Sequence, residues 1–75
     1  MRTVKMIFLR DTDLMLNKSP YFLEESYYAK GDEVDVVSYK TYDLGTDMWE
    51  IRLWDGTEFF VMKECVEIEK LPLTQ

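Results

Sequence analysis

Hydrophobic and polar residues alternate on both sides of the pair Asp55-Gly56. An Asp-Gly pair between two β-rich runs indicates a tight hairpin, because glycine reaches positive φ without a Cβ clash. Before this turn, one strand face carries Trp49, Ile51 and Leu53. The residues of the opposite face are Met48, Glu50, Arg52 and Trp54. Since the charges fall on the second face, the pattern predicts that the first face points into a core.

After the turn, period two places Phe59 and Val61 on one face of the next strand, and Phe60 and Met62 on the other. Both of these faces are apolar, so we expect this strand to be covered on two sides. The alternation resumes over residues 66–69, which we interpret as a last strand.

The first half of the chain predicts two further strands. Residues 4–9 predict a first strand, in which Val4, Met6 and Phe8 share one face. In residues 33–39 valines alternate with acidic side chains, as in a half-buried strand. We interpret residues 40–47 as a loop, and we expect the tail, residues 71–75, to be loosely held.

The segment 10–26 is ambiguous. Within it, residues 21–26 could form a single helical turn, because Pro20 can occupy the first helical position after a Ser19 cap. The alternative is that they belong to one long excursion after the first strand. Short strands separated by turn signals predict an all-β fold of the small-barrel kind, and 75 residues make one domain, residues 1–75.

Four stretches resemble SH3-like small β-barrels. Residues 30–37, Lys-Gly-Asp-Glu-Val-Asp-Val-Val, resemble the Lys-Gly-Asp/Glu motif at the start of a strand in that family. Residues 47–51, Asp-Met-Trp-Glu-Ile, resemble its Asp-Trp-Trp-x-Ala strand, and Asp55-Gly56 resembles its distal turn. Residues 60–66 are similar to its Tyr-Ile-Pro-Ser-Asn-Tyr-Val segment.

The resemblance implies a five-stranded barrel with a 3₁₀ turn near residues 63–65 and a long hairpin-like loop over residues 10–26. It implies that the following side chains lie inside: Tyr28, Val34, Val36, Ile51, Val61 and Val66. Family members bind proline-rich peptides in an aromatic groove, but the matching positions here hold Met48, Met62 and Cys65. Without flat aromatic rings there is no slot for a polyproline helix, so we expect another use of the scaffold.

Charge is spread unevenly along the chain, which has a net charge of −6. Residues 1–18 carry +2 and residues 19–75 carry −8. An acidic body repels a phosphate backbone, so we expect no direct nucleic-acid binding. The acidity can serve solubility alone, or it can form a face that meets a basic partner surface or mimics nucleic acid.

Residues capable of catalysis are few. The sequence contains no histidine and a single cysteine, Cys65, which excludes an internal disulfide, the usual zinc sites and a nucleophile paired with histidine. The carboxylate pairs, such as Glu67 and Glu69, fit solvated strand edges. We therefore expect no enzyme activity, no cofactor and no metal. The apolar run 6–9 is too short for a signal peptide or a membrane span, so we expect a cytoplasmic protein that does not enter membranes.

These observations predict a non-catalytic module that binds a protein partner, as a monomer or a weak homodimer. By analogy, small acidic single domains resemble phage or mobile-element proteins that bind a host protein. We expect the partner at the segments 10–26 and 40–47 and on the charged face of the hairpin. The candidate residues are Tyr39, Tyr42, Met48, Glu50, Arg52 and Trp54. Of these, we expect the aromatic side chains of Tyr39, Tyr42 and Trp54 to be exposed, and an exposed tryptophan is a common anchor of an interface. The alternatives are an acidic nucleic-acid mimic and a subunit that oligomerises through an exposed edge strand.

Overall fold

A computed structural model describes residues 2–69 and shows an all-β domain. The strands are β1 (Val4–Phe8), β2 (Thr12–Ser19), β3 (Phe22–Tyr28), β4 (Glu33–Val36), β5 (Ser38–Tyr42), β6 (Gly45–Arg52), β7 (Glu58–Met62) and β8 (Val66–Glu69). A 3₁₀ turn, Lys63–Cys65, joins β7 to β8, where the resemblance implied one. The predicted tail, residues 71–75, lies outside the described residues.

The strands form two antiparallel sheets. One has three strands in the order β4-β1-β8, and the other has five in the order β3-β2-β7-β6-β5. The buried core lies between them, and its members are Met6, Phe8, Leu14, Leu16, Val36, Ile51, Phe59, Val61 and Val66. Alternate strand residues point to opposite faces, so each buried residue leaves its chain neighbours facing outward.

The inward face predicted for the hairpin is confirmed. Ile51 is buried, and Trp49 and Leu53 are half-buried against the core. Phe59 and Val61 are buried as well.

The turn between β6 and β7 is the one predicted at Asp55-Gly56. The Gly56 amide donates to the Leu53 carbonyl at 3.0 Å, and the Leu53 amide donates to the Thr57 carbonyl at 2.8 Å. Gly56 has φ +89°, whereas Asp55 has a negative φ. Asp55 contributes through its side chain instead, since its Oδ1 accepts a hydrogen bond from the Thr57 amide at 3.0 Å.

The segment 10–26 has the hairpin shape that the resemblance implied, but its arms are paired strands instead of a loop, and residues 21–26 form no helical turn. It forms most of the β2–β3 hairpin, in which Leu14 lies opposite Ser26 and Leu16 opposite Glu24. Burial of the two leucines fixes β2 as a strand, and pairing along seven registered positions draws β3 into the same sheet. The expected cap forms in part: Ser19 Oγ accepts from the Tyr21 amide at 3.3 Å, but it closes a turn instead of starting a helix.

Three other expectations are wrong. The interpreted loop 40–47 consists mainly of β5 and β6, which leave only Asp43 and Leu44 as the turn. The predicted strand 33–39 divides at Val37, because β4 pairs with β1 whereas β5 pairs with β6. Residues 2–69 therefore form eight strands in two sheets instead of five strands in a closed barrel.

Strand β7 is buried on its core side and only partly covered on its outward side, where we expected full cover. Phe60 is 44% exposed, so the outward face of this strand keeps an apolar side chain in contact with water. Among residues 2–69, no helix has the length and apolar character needed to cross a membrane.

Substitution of Gly56 by alanine tests the turn. Because φ +89° is unfavourable for a residue with a Cβ, Gly56→Ala should lower the free energy of unfolding by about 1–2 kcal/mol. Gly45→Ala is the matched control, since Gly45 lacks a positive φ and its nearest non-neighbouring atom would lie 3.4 Å from the new Cβ. Urea denaturation measures both, and equal losses would contradict this account of the turn.

Candidate functional site

The outward side of the five-stranded sheet forms one continuous surface, which we call the outer face. Register places Asn17 of β2 opposite Glu58 of β7, and Glu58 opposite Arg52 of β6, so these side chains share that side. The same alternation assigns the following residues to the outer face: Asp13, Met15, Asn17, Leu23, Glu25, Tyr27, Ser38, Lys40, Tyr42, Met48, Glu50, Arg52, Glu58, Phe60 and Met62.

Four of the six predicted site residues lie on the outer face. Met48, Glu50 and Arg52 alternate along β6. Tyr42 joins them at the far end of β5, where its ring stacks at a tilt on Phe60 with centroids 4.5 Å apart. Tyr42 is half-buried by this contact, so it is less exposed than predicted.

The other two predicted residues lie elsewhere. Tyr39 is opposite Ile51 and therefore points to the core side, where it meets Trp49 edge to face with ring centroids 5.3 Å apart. Lys63 covers the same Trp49 ring, with Nζ 4.4 Å from its centroid. Tyr39 is half-buried and does not contribute to the outer face. Trp54 lies in the β6–β7 turn and is 71% exposed, as predicted.

Most of the exposed apolar side chains lie on the β2–β3 hairpin. They are Met15, Tyr21, Phe22, Leu23 and Tyr27. The sequence contains a signal for Met15, because it stands between Leu14 and Leu16, and two buried neighbours turn a strand residue outward. It contains no comparable signal for β3, whose position depends on pairing with β2. The site residues that sequence reasoning missed are therefore Met15, Leu23 and Phe60.

We call Met15, Leu23 and Phe60 the apolar patch. Their side chains are 50%, 59% and 44% exposed. All three line one cavity of about 220 Å³ on the outer face, together with Asn17, Glu50, Glu58 and Phe59. A larger concavity of about 530 Å³ continues along the hairpin past Asp13, Glu25 and Tyr27 and shares Met15 with the first. Apolar side chains gathered in a concave surface are suited to contact another molecule.

Charges on the outer face are neutralised on one side of the apolar patch but not on the other. Arg52 Nε donates to Glu58 Oε2 at 2.9 Å, and Lys40 Nζ lies 3.9 Å from Glu50 Oε2. In contrast, Glu25 lies opposite Met15 and forms no ion pair within residues 2–69. On the hairpin side of the patch, the charge of Glu25 is therefore not offset by an ion pair from the described residues.

Acidic side chains at the base of the hairpin change the pKa of Tyr27. Its pKa is raised above the ordinary value, first by a side-chain hydrogen bond with Asp11, then by loss of solvent and by the negative charges of Asp11, Asp13 and Asp32. These charges disfavour a second negative charge on the phenolate. Asp11 also accepts a hydrogen bond from the Lys30 amide at 2.8 Å, which ties the hairpin to the turn before β4.

The part of the chain that the structure describes holds no group of three or more acidic or cysteine side chains placed to bind a metal ion. Cys65 is half-buried against the core at the end of the 3₁₀ turn. It therefore packs largely as a small apolar residue.

Comparisons with protein-family models, with curated proteins and with solved structures gave no match to this chain. The outer face and the β2–β3 hairpin are therefore the features from which we infer a function.

Acid titration tests the turn that presents Trp54. The pKa of Asp55 is lowered by hydrogen bonds from the Thr57 amide and side chain. The ionised Asp55 side chain therefore stabilises the fold fully above about pH 4, the pKa of an aspartate in the unfolded chain. This stabilisation is lost as the pH falls through the lower pKa of the folded state. We expect Asp55→Asn to have a lower Tm than the wild type at neutral pH. Below about pH 4, the difference in Tm between the two proteins should narrow. Thermal melts across this range measure it, and a constant gap would be the contrary result.

A double-mutant cycle tests the aromatic contact on the outer face. Tyr42→Leu and Phe60→Leu should show a coupling of about 0.5–1.5 kcal/mol in the free energy of unfolding, because the rings stack directly. The control cycle combines Tyr42→Leu with Trp54→Leu at the opposite end of β6, where we expect additivity. Equal coupling in both cycles would show that the substitutions perturb the whole sheet.

Proposed function

We propose that this chain is a non-catalytic protein-interaction module that binds a protein partner on its outer face. The observation that carries the proposal is the apolar patch, in which Met15, Leu23 and Phe60 share a cavity although each is about half exposed. Leaving such side chains in water forgoes their burial, which is worth about 25 cal/mol per Å² of apolar area. A partner that covers the patch recovers this free energy.

The surroundings of the patch resemble the rim of a protein interface. Glu50, Glu58 and Arg52 border it on the β6 side, and Glu25 borders it on the hairpin side. An apolar centre with a polar border is typical of interfaces between proteins. The partner contact predicted at residues 10–26 is thereby assigned to particular side chains of β2 and β3.

An acidic nucleic-acid mimic is the alternative use of the chain. It requires rows of carboxylates whose charge is not cancelled locally. On β6 and β7, however, Glu50 lies beside Lys40, and Glu58 accepts hydrogen bonds from Arg52. The ion pairs favour a docking surface with an apolar centre over a mimic of a phosphate backbone.

We also propose that the scaffold is related to SH3-like domains. The support is the order of the elements: a strand, a long hairpin, a further strand region, the Asp-Gly hairpin, a 3₁₀ turn and a last strand. In such a relationship the peptide groove would be replaced, since Met48 and Met62, which pair across β6 and β7, stand where the family has a groove tryptophan and a groove proline. A role in a phage or mobile element, binding a host protein, is compatible with this use of the scaffold.

Partner capture tests the patch. The tagged full-length chain, incubated with an extract of the cells that contain it, should retain a protein that Leu23→Ser and Met15→Ser each bind at least about tenfold more weakly, as expected for centrally placed contacts. Leu44→Ser is the matched control, because Leu44 is 85% exposed but lies in the β5–β6 turn. Urea midpoints of all variants verify folding.

Two outcomes would contradict the proposal. Equal retention by the patch variants and the control would remove the partner from this face, and loss with Trp54→Ala alone would move it to the β6–β7 turn. Retention that falls steeply with salt while the patch variants bind normally would favour the acidic mimic.

A further inference from the structure

Strand β3 offers a free sheet edge beside the apolar patch. It is the outermost strand of the five-stranded sheet and pairs with β2 alone. With seven residues, it is longer than β4, β5 and β8, which form the other sheet edges in the described part of the chain. Edge strands expose unpaired backbone groups, and proteins commonly protect them with charged side chains, lysine above all, with proline, with bulges or by shortness. The charges on β3 are the acids Glu24 and Glu25, which leave the edge open to a basic strand. Residues 22–28 contain neither lysine nor proline.

The side chains of β3 define what can lie beside it. On the outer face, Leu23, Glu25 and Tyr27 form a row in which an acid stands between two exposed apolar groups. On the other side, Glu24 is engaged by Lys18, with Nζ 3.8 Å from Oε1. Glu25 has no such cation within residues 2–69. A neighbouring strand would therefore be stabilised by a cation opposite Glu25 and by apolar groups two positions to either side.

Resting on the proposed function, we propose that β3 accepts an extended segment of the partner as a sixth strand of the sheet. The segment carries lysine or arginine opposite Glu25 and apolar residues at the second position before and after it. Backbone hydrogen bonds along the edge supply affinity, and the three outward side chains supply selectivity. Its apolar residues extend the patch formed by Met15, Leu23 and Phe60.

A second copy of the chain is disfavoured as the occupant. Antiparallel self-pairing of β3 about its centre places Glu25 directly opposite Glu25, with Leu23 opposite Tyr27. A shift by one residue places Glu24 opposite Glu25 in one direction and Glu25 opposite Ser26 in the other. Either shift brings outward residues of one copy beside inward residues of the second copy, which exchanges the two faces of the sheet. Like charges directly opposite one another destabilise a strand pair. The acids thus oppose pairing of β3 with itself and favour a basic strand.

A peptide titration of the isotope-labelled full-length chain tests this proposal. The probe is a peptide of about ten residues that alternates valine and threonine, with lysine replacing the central valine. We expect amide shifts and slowed amide exchange concentrated in residues 22–28. A peptide with glutamate at the centre should bind about fivefold more weakly.

Charge reversal supplies the matched pair of variants. Glu25→Lys should reverse the preference, so that the glutamate peptide binds more tightly than the lysine peptide. Glu67→Lys makes the same change on β8, where Glu67 is also exposed, and should leave the preference unchanged. An unchanged preference in Glu25→Lys would overturn the assignment of the cation.

Backbone methylation separates strand addition from contact through side chains alone. Two lysine peptides are methylated on alternate backbone nitrogens, one at even and one at odd positions. Because alternate amides of a strand point in opposite directions, only one of the two should lose binding. Retained binding by both would overturn strand addition while leaving the interaction function intact.

Two further results would overturn strand addition. One is the absence of amide shifts at about 1 mM lysine peptide. The other is that raising the protein concentration alone slows amide exchange in β3 to the same extent. Loss of partner capture in the patch variants is a separate measurement, so the failures are distinguishable.

Discussion

The packing of one sheet against the other is the constraint on which the remaining structure depends. Ile51, Phe59 and Val61 cover the core from the five-stranded sheet, and Met6 and Phe8 cover it from the other. In a strand, burying one residue turns the next one outward, and a register shift of one position would exchange the two faces completely. The outer face is therefore a consequence of the core.

That consequence explains why apolar residues remain in water. With Phe59 and Val61 fixed inside, Phe60 has to point outward, and with Leu14 and Leu16 inside, the same holds for Met15. The fold does not require these outward positions to be apolar, since Asn17 and Glu58 occupy equivalent ones. Large apolar side chains at three such positions around one cavity are therefore the observation that supports the proposed partner contact.

The sequence anticipated features that depend on local chemistry. The Asp55-Gly56 turn follows from the need for positive φ at Gly56, and the burial of Ile51 follows from alternation against the charged Glu50 and Arg52. The burial of Val61 was implied by the resemblance, because its neighbours Phe60 and Met62 are both apolar. The β2–β3 hairpin depends on pairing between segments, and the local signal at Ser19 and Pro20 fitted a helix start equally well. The pattern of one segment alone cannot decide between a helical turn and a strand at residues 21–26. The strand forms because Leu14 and Leu16 are buried and hold β2 in place for pairing with β3.

The candidate site shows the same division. Alternation along β6 correctly grouped Met48, Glu50 and Arg52, because all three belong to one strand. Tyr39 was misplaced, because its side depends on a register opposite Ile51 that residues 38–42 do not encode alone. Leu23 was missed for the same reason, since its strand was not recognised.

The attachment of the hairpin links this architecture to its proposed use. A single registered pair, Asn17 opposite Glu58, joins β2 to β7, whereas five join β6 to β7. The hairpin is therefore held mainly by the buried Leu14 and Leu16 and by the stacking of Tyr28 on Phe8, whose ring centroids lie 4.6 Å apart. Few ladder contacts permit local opening at lower free energy than global unfolding. A partner strand added to β3 would extend the hairpin whose link to β7 is the shortest ladder of the sheet. Binding would therefore stabilise the part of the sheet that is attached by the fewest ladder pairs.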